Sequence, residues 1–216
     1  MHYNAAMRML LTAGPTREPI DPVRFIGNRS SGNVGAAIAE AGLRAGHDVT
    51  LIAGPVTAVM PQGARRFDVE TSRQMMDAVM REFPQHDLLI MAAAVADYRP
   101  KMVRQAKIGR AGKLALELEP TEDIVATAAA SRRSDQRVVG FSLEAGGGIE
   151  RAIEKLRRKR LDLMVYNPAE TMGSTVIESV LLWPDGRRQS LGNLNKSAFA
   201  EILVRQAAEL LTSATQ

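Results

Sequence analysis

The residues best suited to chemistry lie in a long loop between the first apolar segment and the first helical pattern. This loop is rich in glycine, serine and proline, and it also carries Arg24 and Asn28, which a plain turn does not need. Backbone amides at a helix start attract anions, because the helix macrodipole is positive there. We expect Gly32 to supply such an amide and Ser30 and Ser31 to add hydroxyl donors. Arg24 would add a planar fork for phosphate or carboxylate. The alternative is a structural connection with Arg24 on the surface.

A second group follows a continuously apolar segment at 87–94. The small side chains around Ala93 would let a ligand approach the backbone, and Asp97 stands where the strand ends. Ligands of open parallel sheets lie beyond the carboxyl ends of strands, so Asp97 could hold Mg²⁺ or a ribose hydroxyl. It could equally cap a loop. Lys107 lies in a basic, glycine-containing stretch that is typical of either a mobile flap or a solvated loop.

A basic helical segment provides the third candidate. Lys155 and Lys159 are four residues apart and therefore share a face, where two like charges repel. An anion bound between them would offset this repulsion. A solvated basic face is the alternative, because Arg157, Arg158 and Arg160 surround the pair.

Other chemistries receive no support. The chain has no cysteine, which excludes disulfides and thiolate chemistry. Its three histidines, His2, His47 and His86, are scattered, so we expect each on the surface or in a loop and predict no metal cluster or catalytic triad. A net charge of +4 favours small anions over nucleic acid as partners. Nothing near the amino terminus is typical of a signal peptide or membrane span, which predicts a soluble cytoplasmic protein without membrane contact.

Strands and helices alternate along most of the 216 residues, of which 45% are hydrophobic. Helical patterns occur at 35–43, at 73–83 after a cap at Thr71 or Ser72, at 149–159 and from 195 or 197 onward. The segments with strand patterns are 9–11, 48–55, 65–70, 87–94, 137–142, 161–167, 176–183 and 187–191. The last two flank a Pro-Asp-Gly turn, which predicts a hairpin. We therefore predict one α/β domain over 1–216, a doubly wound, mainly parallel Rossmann-like sheet with helices on both faces and a carboxyl-terminal hairpin and helix.

Several separated motifs together resemble the phosphopantothenoylcysteine synthetase family over nearly the whole chain. They occur in the same order as in that family, and Gly109 and Arg110 depart from it where further lysines are usual. The motifs are Thr12-Ala-Gly-Pro-Thr-Arg-Glu-Pro-Ile-Asp-Pro-Val-Arg24, Asn28-Arg-Ser-Ser-Gly32, Ala92-Ala-Ala-Val-Ala-Asp-Tyr-Arg-Pro100, Lys107-Ile108, Asp123-Ile124, Gly140-Phe141 and 155–163.

The resemblance implies a ligase of coenzyme A biosynthesis. Bacterial members use CTP and Mg²⁺ to activate the carboxylate of 4′-phosphopantothenate as an acyl-cytidylate, with release of pyrophosphate. The amine of cysteine then displaces CMP. The resemblance also implies a homodimer, to which the late hairpin would contribute, and no flavin in this part. A flavin-dependent decarboxylase is often linked upstream.

The resemblance also implies roles for single residues. Asn28 would hold the acyl-cytidylate and assist the second step, using both its amide donor and its acceptor. Lys107 would favour cytidylate formation from the flap, and Arg24 would aid acid or phosphate binding. A phosphate and substrate loop would consist of Gly14, Ser30, Ser31 and Gly32. Within the nucleotide site, Asp97 would act directly or through Mg²⁺, Phe141 would lie beside the cytosine, and Lys155 with Lys159 would bind the triphosphate. The other nucleotide-binding residues would be Ala93, Lys107, Asp123 and Ile124.

Two other classes compete with the ligase. A nicotinamide-dependent reductase would share Gly32, Gly35 and the following helix. However, the second strand ends at 53–55 in Ala-Gly-Pro where a charged ribose-binding residue is expected, and no tyrosine is followed by a lysine four positions later. A non-catalytic nucleotide-binding regulator could dispense with Asn28 and Lys107. Both residues are present, which favours the enzyme.

Overall fold

The computed structural model describes residues 6–110, 112–144, 148–168 and 176–212. A central sheet contains eight strands of this part of the chain, and two short antiparallel ribbons stand beside it. The strands of the sheet are β1 Arg8–Ala13, β4 Asp48–Ala53, β5 Arg65–Asp68, β6 Leu88–Met91, β9 Arg137–Glu144, β10 Leu163–Pro168, β11 Val176–Leu182 and β12 Arg188–Asn195. The ribbon strands are β2 Arg17–Pro19, β3 Phe25–Gly27, β7 Tyr98–Pro100 and β8 Leu118–Pro120.

The sheet is doubly wound, as the sequence predicted. Its strand order is β5-β4-β1-β6-β9-β10-β11-β12. The first six of these strands run parallel, whereas β11 and β12 form the predicted antiparallel hairpin. The chain moves outward from β1 first in one direction and then in the other. This reversal leaves a crevice beyond the carboxyl ends of β1 and β6, where ligands of such sheets bind.

Helices cover both faces because the strands are apolar on both sides. The helices are α1 Asn33–Arg44, α2 Ser72–Glu82, α3 Ile124–Ser131, α4 Ile149–Arg158 and α5 Lys196–Thr212. Met9 and Leu11 of β1 point into the core beneath α1 and α5, and Leu10 points into the core beneath α2, α3 and α4. This alternation along one strand separates two apolar layers, as expected for a parallel sheet buried on both sides.

The two ribbons were not predicted. The β2–β3 ribbon lies within the long loop after β1, and the β7–β8 ribbon follows β6. Hydrogen bonds hold the two loops together at the carboxyl ends of β1 and β6. Ala94 N donates to the backbone carbonyl of Gly14 over 2.8 Å, and Ala96 N donates to the side-chain hydroxyl of Thr16 over 3.0 Å. The first candidate loop is thereby held against the second.

Two smaller differences from the prediction concern helices. The sequence reasoning assigned no helix to 124–131, although Asp123 caps α3 by accepting from Ala126 N and the segment is rich in alanine, a strong helix former. Helix α4 ends at Arg158, and Lys159 is its cap residue. Across the described ranges, no helix combines the length and the apolar character that a membrane crossing requires.

Candidate functional site

A cavity of about 390 Å³ opens at the crevice beside β1. Asn28, Ser30 and Ser31, three residues predicted for the site, line it. Arg17 and Arg29 also line it, and they were not predicted. The Arg17 guanidinium lies 4.6 Å from the centre of the Phe25 ring, which holds it in place. Two guanidinium groups, four hydroxyls (Thr16, Ser30, Ser31 and Thr57) and one amide around a small cavity suit an anionic, hydrogen-bonding ligand.

Asn28 is held by the loop after β6. Its amide nitrogen donates to Ala94 O over 3.1 Å and to Val95 O over 3.0 Å. Both of its donors are therefore used, and only Oδ1 can face a ligand. The expectation that Asn28 offers a ligand both a donor and an acceptor is wrong in this arrangement. The acceptor remains, and it can take a hydrogen bond from an N–H group.

Arg24 was expected to offer its fork to phosphate or carboxylate, but the structure uses it elsewhere. Nε and Nη2 donate to the Asp21 carboxylate over 3.0 and 2.6 Å, and Nη2 also donates to Ile108 O over 2.7 Å. Arg24 does not line the cavity that holds Asn28. Arg17 and Arg29 supply the positive charge there instead.

Gly14 and Gly32 shape the loop. Their φ angles are +79° and +84°, and a Cβ on either would lie within 2.5 Å of Val56 Cγ1. Only glycine fits both the conformation and the space. Gly32 is the N-cap of α1, so the amides that follow it stand at a helix start as predicted. Neither glycine lines the cavity.

Asp97 follows β6 as predicted, whereas Ala93, expected within a strand at 87–94, lies just beyond it because β6 ends at Met91. Ala93 N donates to the Thr12 hydroxyl over 3.2 Å, and the backbone carbonyl of Asp97 accepts from Thr121 N over 3.0 Å. The exposed Asp97 carboxylate pairs with no described residue. In the part of the chain that the structure describes, no group of three histidine or acidic side chains could hold a metal. Asp97 alone could still contribute one carboxylate to Mg²⁺ that phosphates hold, which is the usual donor set of this ion.

Lys155 and Lys159 share a helical turn, since Lys159 N donates to Lys155 O over 2.9 Å. The Lys159 ammonium pairs with Asp123 at 3.0 Å. Asp123 also caps α3, so one carboxylate joins the start of α3 to the end of α4. The structure thus brings together three of the residues predicted to bind nucleotide.

The predicted nucleotide-binding side chains of Phe141 and Ile124 both pack into the apolar core. Phe141 packs edge-to-face on Phe199 at 6.3 Å, on the α1 and α5 side of the sheet. Asp123 belongs to the opposite side, where Ile124 is only 3% exposed in the core. The Phe141 ring and Ile124 therefore pack on opposite faces of the sheet.

Lys107 is exposed in the flap, which we define as residues 101–117 between β7 and β8. It has no ion-pair partner among the described residues. Ile108, its neighbour, bonds to Asp21 and Arg24. The structure thereby connects the flap with the loop that carries Asn28.

A larger cavity of about 770 Å³ lies between the ends of β4 and β5 and helix α2, and it contains none of the predicted site residues. Arg66, Arg81, Asp68 and Asp77 give its wall both signs of charge. The smaller cavity beside Asn28 is the better candidate, because the residues with unused polar groups converge there.

The sequence reasoning missed Arg17, Arg29 and Asp21 as contributors to this region. Arg29 stands between the predicted residues Asn28 and Ser30, and Arg17 lies three positions after Gly14, but nothing in their spacing distinguishes them from Arg24. Asp21 had a signal: Asp-Pro followed by Arg three positions later is typical of a turn in which the carboxylate binds its own backbone. That signal was not used.

Fold and site together define a doubly wound α/β protein with an arginine-lined cavity at its topological switch point. Residues 5–211 match the DNA/pantothenate metabolism flavoprotein C-terminal domain family. The chain belongs to this family.

Curated relatives agree with this assignment. The chain is 40% identical over 204 residues to the coenzyme A biosynthesis bifunctional protein CoaBC of Vibrio cholerae, covering 91% of this chain and 51% of the relative. It is 41% identical over 215 residues to the protein of that name from Mycobacterium tuberculosis, covering 93% and 51%. It is also 43% identical over 169 residues to a cysteine/cysteine sulfinic acid decarboxylase from an unknown prokaryotic organism, covering 77% and 47%. The chain thus spans about half the length of these relatives.

A crystal structure of the C-terminal domain of a CoaBC protein superimposes with a TM-score of 0.84 at 36% identity, covering 97% of this chain and 99% of that one. The doubly wound architecture is therefore the fold of this family. The large sheet, both ribbons and the site lie within the matched part of the chain.

Proposed function

We propose that this chain is a phosphopantothenate–cysteine ligase. It activates the carboxylate of 4′-phosphopantothenate with CTP, and it then joins the acyl group to the amine of cysteine. The observation that carries the proposal is the position of Asn28: both of its amide protons are fixed on the β6 loop, and its oxygen is left beside a cationic cavity. The family membership and the CoaBC relatives support the substrate class.

In the first step, a carboxylate oxygen of the acid attacks the α-phosphorus of CTP, and the bond to pyrophosphate breaks. Charge accumulates on the leaving phosphates, and cations stabilise it most in the transition state. Lys107 serves this step from the flap, while Lys155 and Lys159 bind the triphosphate. Arg17 and Arg29 bind the anionic acid in the cavity.

In the second step, the cysteine amine attacks the acyl carbon, and CMP leaves. The lone pair of the amine must point at that carbon. Asn28 Oδ1 accepts one N–H of the amine and thereby orients the lone pair. An amide is suited to this role because it accepts the hydrogen bond without adding a negative charge beside the phosphates.

Mg²⁺ fits this site through Asp97 and the phosphates of CTP. When bound, the ion would neutralise phosphate charge and orient the triphosphate. The exposed Asp97 carboxylate and the absence of a ready three-ligand cluster among the described residues both fit an ion that arrives with the nucleotide. The proposed reaction uses no flavin.

A homodimer is part of the proposal. Most of the exposed large apolar side chains lie on the two ribbons and the flap, whereas β12 has none of them. They are Val23, Phe25, Tyr98, Met102, Val103, Leu114, Leu116 and Leu118. Such a concentration is typical of a surface that a protein covers. This favours the ribbons over the late hairpin as the dimer contact. Sedimentation at micromolar concentration should give the mass of two chains, and the mass of one chain would contradict the dimer.

The decisive experiment supplies purified protein with CTP, Mg²⁺, 4′-phosphopantothenate and cysteine. Pyrophosphate release that requires the acid, followed by amide formation that requires cysteine, is the expected result. Parallel reactions with CTP and ATP identify the nucleotide. Absence of pyrophosphate with both nucleotides would refute the ligase, and carbon dioxide release from cysteine would favour the decarboxylase named among the relatives. As part of the ligase proposal, a decarboxylase linked to this chain would consume the product.

A further inference from the structure

Asp21 binds an unusual number of donors for a residue outside the cavity. Its side chain is fully buried. Oδ1 accepts from Val23 N and Arg24 N, both over 2.9 Å, and Oδ2 accepts from Ile108 N over 3.0 Å in addition to the Arg24 guanidinium. The Ile108 amide is the foremost cause that holds the pKa of Asp21 far below its usual value, and the Val23 and Arg24 donors add to it.

Asp21 and Arg24 bind both the N–H and the carbonyl group of Ile108. Its N–H donates to Asp21, and its carbonyl accepts from Arg24 Nη2 over 2.7 Å. These bonds join residues more than eighty positions apart in the sequence. Because Ile108 directly follows Lys107, the two bonds fix the backbone that carries the Lys107 side chain.

The rest of the flap has little other support. In its described parts, 101–110 and 112–117, the hydrogen bonds to the rest of the chain all end on the turn 20–24. Besides the two bonds of Ile108, there is one from Arg104 N to Ile20 O over 2.9 Å. The bonds between Lys101 and Glu117 only close the base of the flap. The turn 20–24 is therefore what orders the flap in this structure.

We propose that Asp21, together with Arg24, is a positioning residue that places Lys107 by binding the backbone of Ile108. The effect on the reaction rests on the proposed ligase function. In that reaction, Asp21 accelerates cytidylate formation without touching the substrate. Arg24 would then act on the flap and not on the phosphate of the acid. A buried, charged acceptor suits this purpose, because charge-assisted hydrogen bonds are stronger than neutral ones.

The first test needs no activity. Limited trypsin digestion of the intact chain reports flap order through cleavage after Arg104 and Arg110. Asp21→Asn should accelerate this cleavage on the order of tenfold, which is the effect expected when one charge-assisted hydrogen bond is lost. Asp87→Asn is the matched control, since Asp87 binds the backbone and guanidinium of Arg8 at the amino ends of β1 and β6, away from the flap. Its flap cleavage should equal that of the wild type.

A second variant avoids any loss of folding at the buried site. Ile108→Pro removes the N–H that Asp21 accepts while it leaves the turn 20–24 intact, and it should also accelerate cleavage after Arg104 and Arg110. Ala106→Pro is its control, because Ala106 is exposed on the same flap and its N–H donates to no described residue. Unchanged cleavage in both Asp21→Asn and Ile108→Pro would overturn the proposal.

The functional test is a double-mutant cycle on pyrophosphate release. If Asp21 acts through Lys107, Asp21→Asn should slow the wild type on the order of tenfold and should have little further effect in a Lys107→Gln background. An equal loss in both backgrounds would overturn the proposal. A wild-type chain that releases no pyrophosphate would refute the ligase alone, since the digestion still decides whether Asp21 orders the flap.

Discussion

Lys159 and Asp123 form an ion pair of 3.0 Å that joins the end of α4 to the start of α3. The lysine side chain is 20% exposed and its partner 46%, so the pair faces solvent on one side. The same carboxylate caps α3. A lysine held in this way is oriented before a ligand arrives, and an incoming phosphate needs only to extend an existing arrangement of charge.

Lys159→Gln should weaken CTP binding about tenfold to hundredfold, which corresponds to one hydrogen bond from a charged donor. Thermal stability should change little, because exposed ion pairs contribute at most about 1 kcal/mol. Arg157→Gln is the control, since it removes the same charge from an exposed position on α4. Equal losses of affinity in the two variants, measured by calorimetry, would indicate a general charge effect and no specific role for Lys159.

Asn28→Asp should separate the two steps of the reaction. The activated acid should still form, and its transfer to cysteine should fail. A carboxylate at this position would face the carbonyls of Ala94 and Val95 with an oxygen instead of a donor, which displaces the acceptor that orients the amine. Quenched reactions analysed for acyl-cytidylate and amide distinguish the steps. Amide formation at the wild-type rate would contradict the role of Asn28.

Lys107→Gln should slow pyrophosphate release on the order of a hundredfold, as expected for a group that stabilises charge in the transition state. Lys113→Gln is the matched control, because Lys113 is exposed on the same flap. The measurement is a single-turnover assay of pyrophosphate. Similar rates in the two variants would show that Lys107 does not stabilise the transition state of cytidylate formation.

Gly32→Ala should destabilise the fold more than Gly46→Ala. Both glycines have a φ near +80°, which costs another residue about 1–2 kcal/mol. Only at Gly32 would the added Cβ also meet a side chain, at 2.5 Å from Val56 Cγ1, whereas Gly46 has open space. Thermal unfolding of both variants measures the difference. Adding Val56→Ala should recover part of the loss at Gly32, and no recovery would disprove the steric explanation.

Asp21 should make stability depend on pH in the acid range. Its folded-state pKa lies below the usual value of 3.8, so the unfolded chain binds more protons in this range. The contribution is complete above the usual pKa and is lost as the pH falls below it. The wild type should therefore unfold at a higher temperature than Asp21→Asn at pH 7, and the gap should narrow at pH 3. A gap that is the same at both pH values would show that the charge of Asp21 does not stabilise the fold.

The strands and most helices could be predicted from the sequence because each records its surroundings locally. Leu88–Met91 is continuously apolar since helices cover both faces of β6, and Thr71 with Gln74 forms a capping box at the start of α2. The short ribbons left no such record. Their three-residue strands are too short for a period, and they are held by bonds between distant loops.

The sequence by itself determined the α/β alternation, the family and the positions of Asn28, Lys107 and the Lys155 and Lys159 pair, because residue type and spacing along one chain carry that information. Only the tertiary structure decided which groups remain available to a ligand. It assigns the donors of Asn28 to two backbone carbonyls and Arg24 to Asp21 and Ile108. It also places the Phe141 ring on the far side of the sheet from Asp123. The physical reason is that hydrogen-bond partners and sheet faces are settled between segments far apart in the chain, where no local pattern reports them.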